Sequence, residues 1–561
     1  MSHQNGIRQA LEIGEFLYTL EHVPALQSEG PSALLALVRN AELVGRDPRI
    51  RGINIGDRVK GRDCVDTVEC GRIVLEASGK IPLLHLAGKG RDPAQANAVY
   101  RRALDAGLTN MLLVSGDRLP DEARPDRIRY HDSVVAVSDV RHMEPGALIA
   151  AAVSPFKYRE EELANQYLKM AKKINAGASY LITNCGWDMR KFEELAWYCN
   201  ARGFTIPLVA NLLLPSMGWA RGIHGRRLPG VHMSDDLFNK ISEEHALGKP
   251  LAQQHYFHRL ALQVIGVKLM GYAGVQLSGV DEYETLCQVI ELVDDLEKTV
   301  RSRLDWNDAW RDAHRLQDGR EVIFSPPGGI YLFGTTRPSP GSLDALPRIG
   351  DAQPGEEEMR QYRKMSTVHD LAFKKGSTGA AVMKPLMRVM GTSKLGHAIT
   401  LKLEHSIKAP LLGCESCGFC RIEYLMYKCP ETCPKGLANG PCSGTDDNVC
   451  EFKDRECIHN GKYRIAKALG KLAELEEVLV PAVQGTRNTS SWINEFSGAV
   501  PLVRRVKTTA AKKSASTSAT TPVTTGATST PPLAKAIEDV GVAHANVDPS
   551  IRAVQRMRNS G

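Results

Sequence analysis

The chain has 561 residues, of which 43% are hydrophobic and 24% are charged, a composition typical of soluble globular proteins. This length exceeds what one ordinary hydrophobic core supports, so we expect two or three domains. No apolar run is long enough to span a bilayer. The opening residues, MSHQNGIRQALEIGEF, lack the basic and apolar regions of a signal peptide. We therefore expect a cytoplasmic protein with no membrane partner.

The formal net charge of +7 does not indicate a nucleic-acid partner, because most of the excess lies in the C-terminal tail. From Arg504 to the end there are nine Lys and Arg residues against three Asp and Glu residues. This tail is rich in Thr, Ser, Ala and Pro, a composition that favours disorder. The remaining chain is close to neutral overall, whereas phosphate binding needs concentrated positive charge. We therefore predict no nucleic-acid partner.

Between residues 16 and 280, short apolar runs alternate with longer segments of helical spacing. Such alternation predicts a parallel sheet covered by helices. Eight units of about 30 residues each predict a (β/α)8 barrel, an α/β fold. A doubly wound open sheet is the alternative, although no G-x-G-x-x-G motif follows the first strand. The predicted strands are, in order, FLYTL, GINI, PLLHL, MLLVS, LIAAAV, SYLIT, IPLVA and AGVQL.

Each predicted strand carries a polar residue or is followed by one. In a barrel these carboxyl-terminal ends converge on one rim, where active sites are built. A single polar residue after a strand carries little weight, because it commonly caps the next helix. Carboxylates, an imidazole and two amides around one rim favour a catalytic pocket. The rim candidates are Glu21, Asp57, His85, Asp117, Ser154, Asn184, Asn211 and Ser278.

Several segments between residues 10 and 300 resemble the methylenetetrahydrofolate reductase family. TLEHVP, LLHLAG, NMLLVSGD, NAGASYLITN and IPLVANLLLPS occur in the family's order and spacing, and the likeness is greatest to a long form with a cysteine-rich C-terminal domain. The resemblance implies that methylenetetrahydrofolate is reduced to 5-methyltetrahydrofolate, for one-carbon metabolism and methionine supply. It also implies FAD or FMN as cofactor and NAD(P)H or an electron-transfer protein as donor. We further expect a homo-oligomer.

The resemblance also implies roles for individual residues. Glu21 lies at the family's general-acid position, and a carboxylic acid suits the task of protonating N10 to open the methylene bridge. Asp117 matches an Asp near the flavin and folate, where its charge tunes the flavin potential and supports the developing cation. Gly56, Asp57 and His85 fall where the family lines the flavin, and Lys172 or Lys173 falls where it contacts the flavin phosphate. At the remaining rim positions we expect Ser154 to face the cofactor, and Asn184, Asn211 and Ser278 to face the substrate.

Two departures from the family leave the flavin and pterin contacts open. The best-known members have Gln where this chain has Asn184, whose shorter side chain reaches the pterin only if that ring lies closer. Those members carry Tyr-Pro after strand five, where this chain has SPFKYRE, and Ser154 cannot stack on a ring. Phe156 or Tyr158 could stack instead, although core packing is the commoner role. A form that passes hydride directly from nicotinamide to folate is therefore an alternative.

Eight of the thirteen cysteines lie between residues 414 and 457. Without an export signal, such a cluster indicates metal rather than disulfides. Eight thiolates can hold two iron–sulfur clusters with four thiolates each, although the spacing differs from that of ferredoxins, whereas fewer thiolates with His459 suit zinc. The resemblance favours [4Fe-4S] clusters, for electron entry, partner docking or structural support, with unliganded thiols as the alternative. The candidate ligands are Cys414, Cys417, Cys420, Cys429, Cys433, Cys442, Cys450 and Cys457.

These patterns divide the chain into four parts. They are a barrel at 1–310, a Pro- and Gly-rich linker or long loop at 311–358, a cysteine-rich domain at 359–500 and a disordered tail at 501–561. Two alternative functions remain open. The same fold could oxidise methyltetrahydrofolate from a demethylation pathway. Alternatively, the chain could be an iron–sulfur electron-transfer or docking module whose barrel only binds folate.

Overall fold

A computed structural model of the chain describes residues 3–61, 63–118, 130–280 and 282–506. The predicted disordered tail lies, from residue 507 onward, outside the described residues. Within the described ranges, no helix is both long enough and apolar enough to cross a membrane.

The centre of the molecule is a closed barrel of eight parallel strands. They are β1 (Leu17–His22), β2 (Ile50–Ile55), β3 (Leu83–Ala87), β4 (Asn110–Val114), β5 (Leu148–Val153), β6 (Tyr180–Thr183), β7 (Leu208–Leu213) and β8 (Gly274–Ser278). Each strand pairs with its neighbour in sequence, and β1 also pairs with β8, which closes the sheet. The predicted barrel is therefore confirmed, and the open-sheet alternative is wrong because an open sheet has no pairing between its first and last strands.

Helices cover the outside of the barrel. Asp66, Asp92, Asp132 and Asp188 cap four of them by accepting hydrogen bonds from backbone N–H groups of the first turn, which satisfies donors that a helix leaves unpaired. Three helices fill the long insertion between β7 and β8. The helices are α1 (Gly6–Ile13), α2 (Pro31–Arg46), α3 (Thr67–Ser78), α4 (Pro93–Asp105), α5 (Ser133–Met143), α6 (Glu160–Ala176), α7 (Met189–Ala201), α8 (Met217–His224), α9 (Asp235–Ala246), α10 (Lys249–Leu269), α11 (Tyr283–Leu296) and α12 (Arg303–Ala313).

The amino-terminal end of the barrel is sealed by α1. Its Ile7 and Ala10 are fully buried and pack against Leu17, Leu83 and Tyr180, which point into the barrel. Apolar side chains thus fill the lower half of the interior. Any cavity for a substrate must therefore lie in the upper half, at the carboxyl ends of the strands.

The segment between α12 and the C-terminal region, residues 314–355, is irregular but packs on the barrel helices. The Lys191 ammonium on α7 donates a hydrogen bond to the carbonyl of Ile330 at 2.9 Å, and the Tyr331 hydroxyl donates to Asp188 at 2.8 Å. The predicted linker is therefore held along the barrel surface over this stretch.

The C-terminal region begins with three helices and continues through the cysteine-rich loops to a small helical end. Its elements are α13 (Glu356–Ala372), α14 (Thr378–Gly391), α15 (Lys394–Leu412), α16 (Ile458–Ala468), α17 (Leu472–Glu477), β9 (Val478–Leu479), α18 (Ser491–Ser497) and β10 (Arg504–Arg505). Helices α16 and α17 pack against α6 of the barrel, whereas α14 packs between α13, α15 and α18. Because β10 pairs with β9, ordered structure extends beyond the predicted boundary at residue 500.

Candidate active site

The upper half of the barrel interior is polar because alternate residues of each strand point inward. Asn54 on β2 donates hydrogen bonds of 2.8 Å to Thr19 on β1 and to Gln276 on β8, and Thr19 donates to the carbonyl of Val275. All three of these side chains are buried. They form a hydrogen-bonded layer above the apolar half of the interior and directly below the predicted rim.

Glu21 and His85 lie together above this layer. The imidazole Nδ1 of His85 is 3.9 Å from Oε1 of Glu21, and the two side chains are 13% and 20% exposed. Burial lowers the pKa of His85 to about 4, although contacts with Gln276 and Asp57 oppose the shift. The imidazole is therefore neutral near pH 7, and the site brings a carboxyl group and an uncharged imidazole to the ends of β1 and β3.

Asp117 lies three residues beyond the end of β4. Burial and the nearby Glu451 carboxylate raise its pKa, whereas the ammonium groups of Lys435 and Lys89 oppose the rise. Asp117 therefore keeps its proton to a higher pH than an exposed aspartate. Two of these neighbours, Glu451 and Lys435, belong to the cysteine-rich region rather than to the barrel.

Cys185 shows that Glu21 and Asp117 share one rim. Its thiol is buried just after β6, and burial raises its pKa to about 12, with further contributions from the charges of Glu21 and Asp117. Both carboxyl groups must lie within electrostatic reach of the same thiol. The carboxyl groups predicted at the end of β1 and after β4 are therefore both near the thiol that follows β6.

Two further predicted rim residues are linked to each other. The Ser278 hydroxyl on β8 donates a hydrogen bond of 2.6 Å to Oδ1 of Asn211 on β7. Asn184 instead accepts a hydrogen bond from the backbone of Cys185 at 2.9 Å. The Ser154 hydroxyl, after β5, is buried and has no hydrogen-bond partner among the described residues.

The remaining predicted flavin residues have structural contacts. Asp57 is buried, forms an ion pair with Arg91 and accepts a hydrogen bond from the backbone of Ala87. A Cβ at Gly56 would lie 2.8 Å from Cγ2 of Val59, so a side chain there would require the exposed Val59 to shift. Lys173 donates a hydrogen bond of 2.6 Å to the carbonyl of Ala152. Lys172 is also buried, so neither lysine presents an exposed ammonium.

The C-terminal region closes against the loop after β4 and so contributes to the site. The buried Lys435 ammonium donates a hydrogen bond of 2.8 Å to the carbonyl of Gly116 and forms an ion pair with the buried Glu451 carboxylate. Glu451 also accepts a hydrogen bond of 2.6 Å from the backbone of Arg118. Both residues adjoining Asp117 are therefore held by the cysteine-rich region.

Sequence reasoning missed Asn54, Gln276, Cys185, Lys435 and Glu451. The first two were visible as polar residues inside apolar strand runs, at inward positions two or three residues before the rim. Cys185 follows directly after Asn184, and a lone cysteine after a strand gives no pattern that separates a rim residue from a core residue. Lys435 lies 319 positions from Gly116, and no local pattern reports a contact over that distance.

The eight clustered cysteines separate into two groups of four, in chain order. The thiols of the first group line one cavity, together with Lys408. In the second group, burial raises the pKa of the Cys457 thiol, and the nearby Cys433, Cys442 and Cys450 thiols raise it further. The four thiols therefore lie near one another. The first group is Cys414, Cys417, Cys420 and Cys429, and the second is Cys433, Cys442, Cys450 and Cys457.

Both groups have the chemistry of a soft-metal site. Four thiolates suit iron–sulfur or zinc, and the Lys408 ammonium, 3.5 Å from the Cys420 sulfur, would offset the negative charge of a thiolate cluster. No three His, Cys, Asp or Glu side chains within the described ranges are arranged to hold a single metal ion.

Comparisons with known proteins agree with the class that this fold and rim define, an α/β-barrel enzyme with a cysteine-rich companion region. The family model described as Methylenetetrahydrofolate reductase matches residues 6–256, and the model described as Methylene-tetrahydrofolate reductase C terminal matches residues 396–484. Together they cover more than half of the chain. The chain belongs to the methylenetetrahydrofolate reductase family, in its long form with the C-terminal domain.

No curated protein matches the chain. Among solved structures, the chain is similar to one described as "Uncharacterized protein from Clostridium thermocellum binds two copies of 5-methyl-5,6,7,8-tetrahydrofolic acid". The two are 12% identical, the match covers 52% of this chain and 99% of that chain, and the TM-score is 0.35.

Proposed function

We propose that the protein reduces 5,10-methylenetetrahydrofolate to 5-methyltetrahydrofolate with a flavin as hydride carrier. Family membership supports this reaction. The observation that carries it is the close approach of Glu21 to the neutral His85 at the ends of β1 and β3, with Asp117 near the same Cys185 thiol as Glu21. The reaction needs a proton donor and a polar group on opposite parts of one bound ring system, and we assign these roles to Glu21 at the end of β1 and to Asp117 after β4.

The rim fits a flavin, either FAD or FMN. His85 Nε2 and the Ser154 hydroxyl are buried polar atoms without hydrogen-bond partners among the described residues, and such atoms are costly unless a ligand satisfies them. They lie on β3 and after β5, the two strands that flank β4 in the barrel. A bound flavin would supply the hydride, and these atoms would orient its polar edge.

The rim side chains have the following roles in the proposed reaction. Glu21 holds the proton that opens the methylene bridge at N10 and makes the carbon electrophilic. His85 stays neutral and therefore does not repel the cation that forms. Asp117 lies where a carboxyl group can hydrogen-bond the pterin or, once ionised, stabilise that cation. Asn211 and Ser278, already hydrogen-bonded to each other, lie on the neighbouring strands β7 and β8, of which β8 pairs with β1.

The variant Glu21→Gln tests this assignment. It should retain flavin reduction by NADH or NADPH within about twofold, but lose folate reduction by about 10²- to 10⁴-fold, because an amide cannot donate the proton. Stopped-flow absorbance measures both half-reactions on one sample. Glu12→Gln, at an exposed position on α1, is the matched control and should change neither. An equal loss of both half-reactions in Glu21→Gln would assign Glu21 a structural role.

The same groups serve the reverse reaction, because each step can run in either direction. Activity measured with each donor and acceptor, including 5-methyltetrahydrofolate with an artificial oxidant, determines which direction the protein favours. Reduction of the folate by NAD(P)H without any bound flavin would replace the flavin relay with direct hydride transfer. If the protein bound folate but turned it over in neither direction, the result would favour the alternative in which the barrel only binds folate.

We also propose that the two cysteine groups hold iron–sulfur clusters. The lining of one cavity by four thiols and a lysine supports this occupant. Iron, zinc and acid-labile sulfide are measured on anaerobically purified protein. Cys414→Ser with Cys417→Ser, and separately Cys433→Ser with Cys442→Ser, should each remove about half of the iron and sulfide, whereas Cys287→Ser, outside both groups, should remove none. Zinc without sulfide would contradict this proposal.

A further inference from the structure

The backbone on both sides of Asp117 is held by side chains of the C-terminal region. The Lys435 ammonium donates a hydrogen bond of 2.8 Å to the carbonyl of Gly116, and the Glu451 carboxylate accepts one of 2.6 Å from the N–H of Arg118. Lys435 and Glu451 also pair with each other, and each side chain is only 2% exposed. Hydrogen bonds to charged groups are stronger than those between neutral groups. The two peptide groups that flank Asp117 are therefore firmly held from outside the barrel.

Tyr130 adds a third contact to the same stretch of backbone. Its hydroxyl donates a hydrogen bond of 3.2 Å to the backbone carbonyl of Asp117, and its own N–H donates one of 3.1 Å to the carbonyl of Lys435. The Lys435 ammonium also lies 5.0 Å from the centre of the Tyr130 ring. We call residues 116–118 the Asp117 segment. Each of its three residues has a backbone group bonded to the C-terminal region or to Tyr130, which that region holds.

The stretch that carries Lys435 and Glu451 is itself anchored on the barrel. The N–H of Asn439 donates a hydrogen bond of 3.1 Å to Asp132, which caps α5, and the Asn448 amide donates one of 3.0 Å to Glu161 on α6. Residues 435–451 are therefore fixed to two barrel helices. They provide a rigid support rather than a loop that moves with the Asp117 segment.

The Asp117 segment needs support of this kind because it lies outside the sheet. The strand β4 ends at Val114, so pairing with neighbouring strands no longer fixes the backbone at Asp117. Gly116 adopts a φ of 83°, in the left-handed region that favours glycine, and the chain turns there. Loop residues take their positions from the contacts made with them. Several of those contacts come here from the C-terminal region.

We propose that Lys435, Glu451 and Tyr130 are positioning residues, through which the C-terminal region fixes the Asp117 carboxyl group for the folate reaction. The inference rests on the proposed function, because it uses the role assigned there to Asp117. Misplacing a reacting group by about 1 Å can cost about 10²-fold in rate, so a carboxyl group on a loop depends on the residues that support it. The C-terminal region then completes the active site of the barrel, whatever its thiols hold.

Hydrogen–deuterium exchange of the intact protein measures this support directly. In Lys435→Met, and separately in Tyr130→Phe, the amides of residues 115–118 should exchange at least about fivefold faster than in the wild type, because the segment opens more often. Lys467→Met is the matched control, since it breaks another buried ion pair of the same junction, with Glu160 on α6. It should leave this exchange within about twofold. Tyr130→Phe removes one hydroxyl and decides the result if Lys435→Met fails to fold.

A double-mutant cycle with Asp117→Asn shows whether the support acts through the Asp117 carboxyl group. Lys435→Met should slow reduction of methylenetetrahydrofolate by about 10- to 100-fold when Asp117 is present. In the Asp117→Asn background the same change should slow it by no more than about threefold, because the group that Lys435 positions is already lost. A merely structural role would slow the reaction equally in both backgrounds.

Three results would overturn the proposal. The first is unchanged exchange at residues 115–118 in both Lys435→Met and Tyr130→Phe. The second is equal slowing of the folate reaction with and without the Asp117 carboxyl group. The third is faster exchange with an unchanged folate rate, which would mean that the position of the segment does not matter to the reaction. A wild type that turns over no folate would instead count against the proposed function, while the exchange measurement would still decide whether the C-terminal region holds the segment.

Discussion

The barrel and its junction with the C-terminal region are stabilised by different interactions. The barrel interior is held by apolar side chains such as Leu17, Leu83 and Tyr180. The junction is held by buried ion pairs, among them Arg202 with Glu476 and Glu160 with Lys467. An Arg–carboxylate pair with two parallel hydrogen bonds fixes the relative position of its two partners. The junction is therefore suited to holding Lys435 and Glu451 in one position beside Asp117.

The largest expected effect comes from breaking one junction pair. Arg202 and Glu476 form two hydrogen bonds of 2.8 Å with both side chains almost fully buried. Arg202→Met leaves the Glu476 carboxylate buried and unpaired, so we expect a loss of about 3 to 5 kcal/mol in the free energy of unfolding. Urea denaturation, fitted to the transition in which the C-terminal region separates from the barrel, measures the loss.

A second variant distinguishes the cost of an unpaired buried charge from the cost of altered packing. Adding Glu476→Leu to Arg202→Met removes the unpaired charge and should recover most of the stability, because apolar replacements of buried pairs are often neutral. Arg72→Met breaks an exposed pair with Glu69 on α3 and should cost about 1 kcal/mol or less. If Arg202→Met cost no more than Arg72→Met, the junction would not depend on its buried charges.

A smaller effect is expected from the barrel interior. Leu17→Ala removes a buried side chain beside α1 and should cost about 2 to 3 kcal/mol, near the lower end of such changes, because a short terminal helix can relax into the space. Leu304→Ala, at an exposed position on α12, should cost close to nothing. Flavin and folate half-reactions in Leu17→Ala should stay near wild type, since Glu21 lies at the opposite end of β1. Loss of both half-reactions would mean that α1 also shapes the rim.

The difference between the barrel and its junction with the C-terminal region also explains which features the sequence could predict. Strand order, the barrel and the placing of Glu21 beside His85 follow from local periodicity, because inward positions alternate along each strand. The junction does not follow, since Arg202 and Glu476 lie 274 positions apart and each alone resembles an ordinary surface charge. The grouping of the eight cysteines into two sets of four likewise depends on loops whose folding no spacing rule gives.

The sequence did not reveal the local excess of positive charge in α13 to α15, because whole-chain sums average it out. The net charge of the chain without its tail is close to zero, and this sum conceals a local excess between residues 359 and 412. The exposure of the apolar row from Leu395 to Leu411 on α15 was hidden as well, because such a row reads in sequence as the buried side of a helix. Only the burial of Thr400 and Glu404 shows that the helix is turned the other way.

The smallest expected effect concerns Lys173, the predicted phosphate contact. Burial lowers its pKa to about 7, with Lys169 adding to the shift and Asp132 opposing it. The folded protein therefore releases this proton near pH 7, whereas the unfolded chain holds it to about pH 10.4. Between these values the unfolded state binds more protons, so stability rises with pH by at most about 1.4 kcal/mol per unit.

Lys173→Met removes that dependence. The stability of the wild type relative to Lys173→Met should increase by about 1 to 2 kcal/mol between pH 7 and pH 8.5, as measured by urea denaturation of the flavin-free protein. Lys249→Met, at an exposed position on α10, should show no such trend. If a flavin phosphate contacts Lys173, the bound flavin will hold the ammonium charged and abolish the increase. An increase that persists unchanged with flavin bound would assign Lys173 to the packing of α6 against β5, where it already donates a hydrogen bond to Ala152.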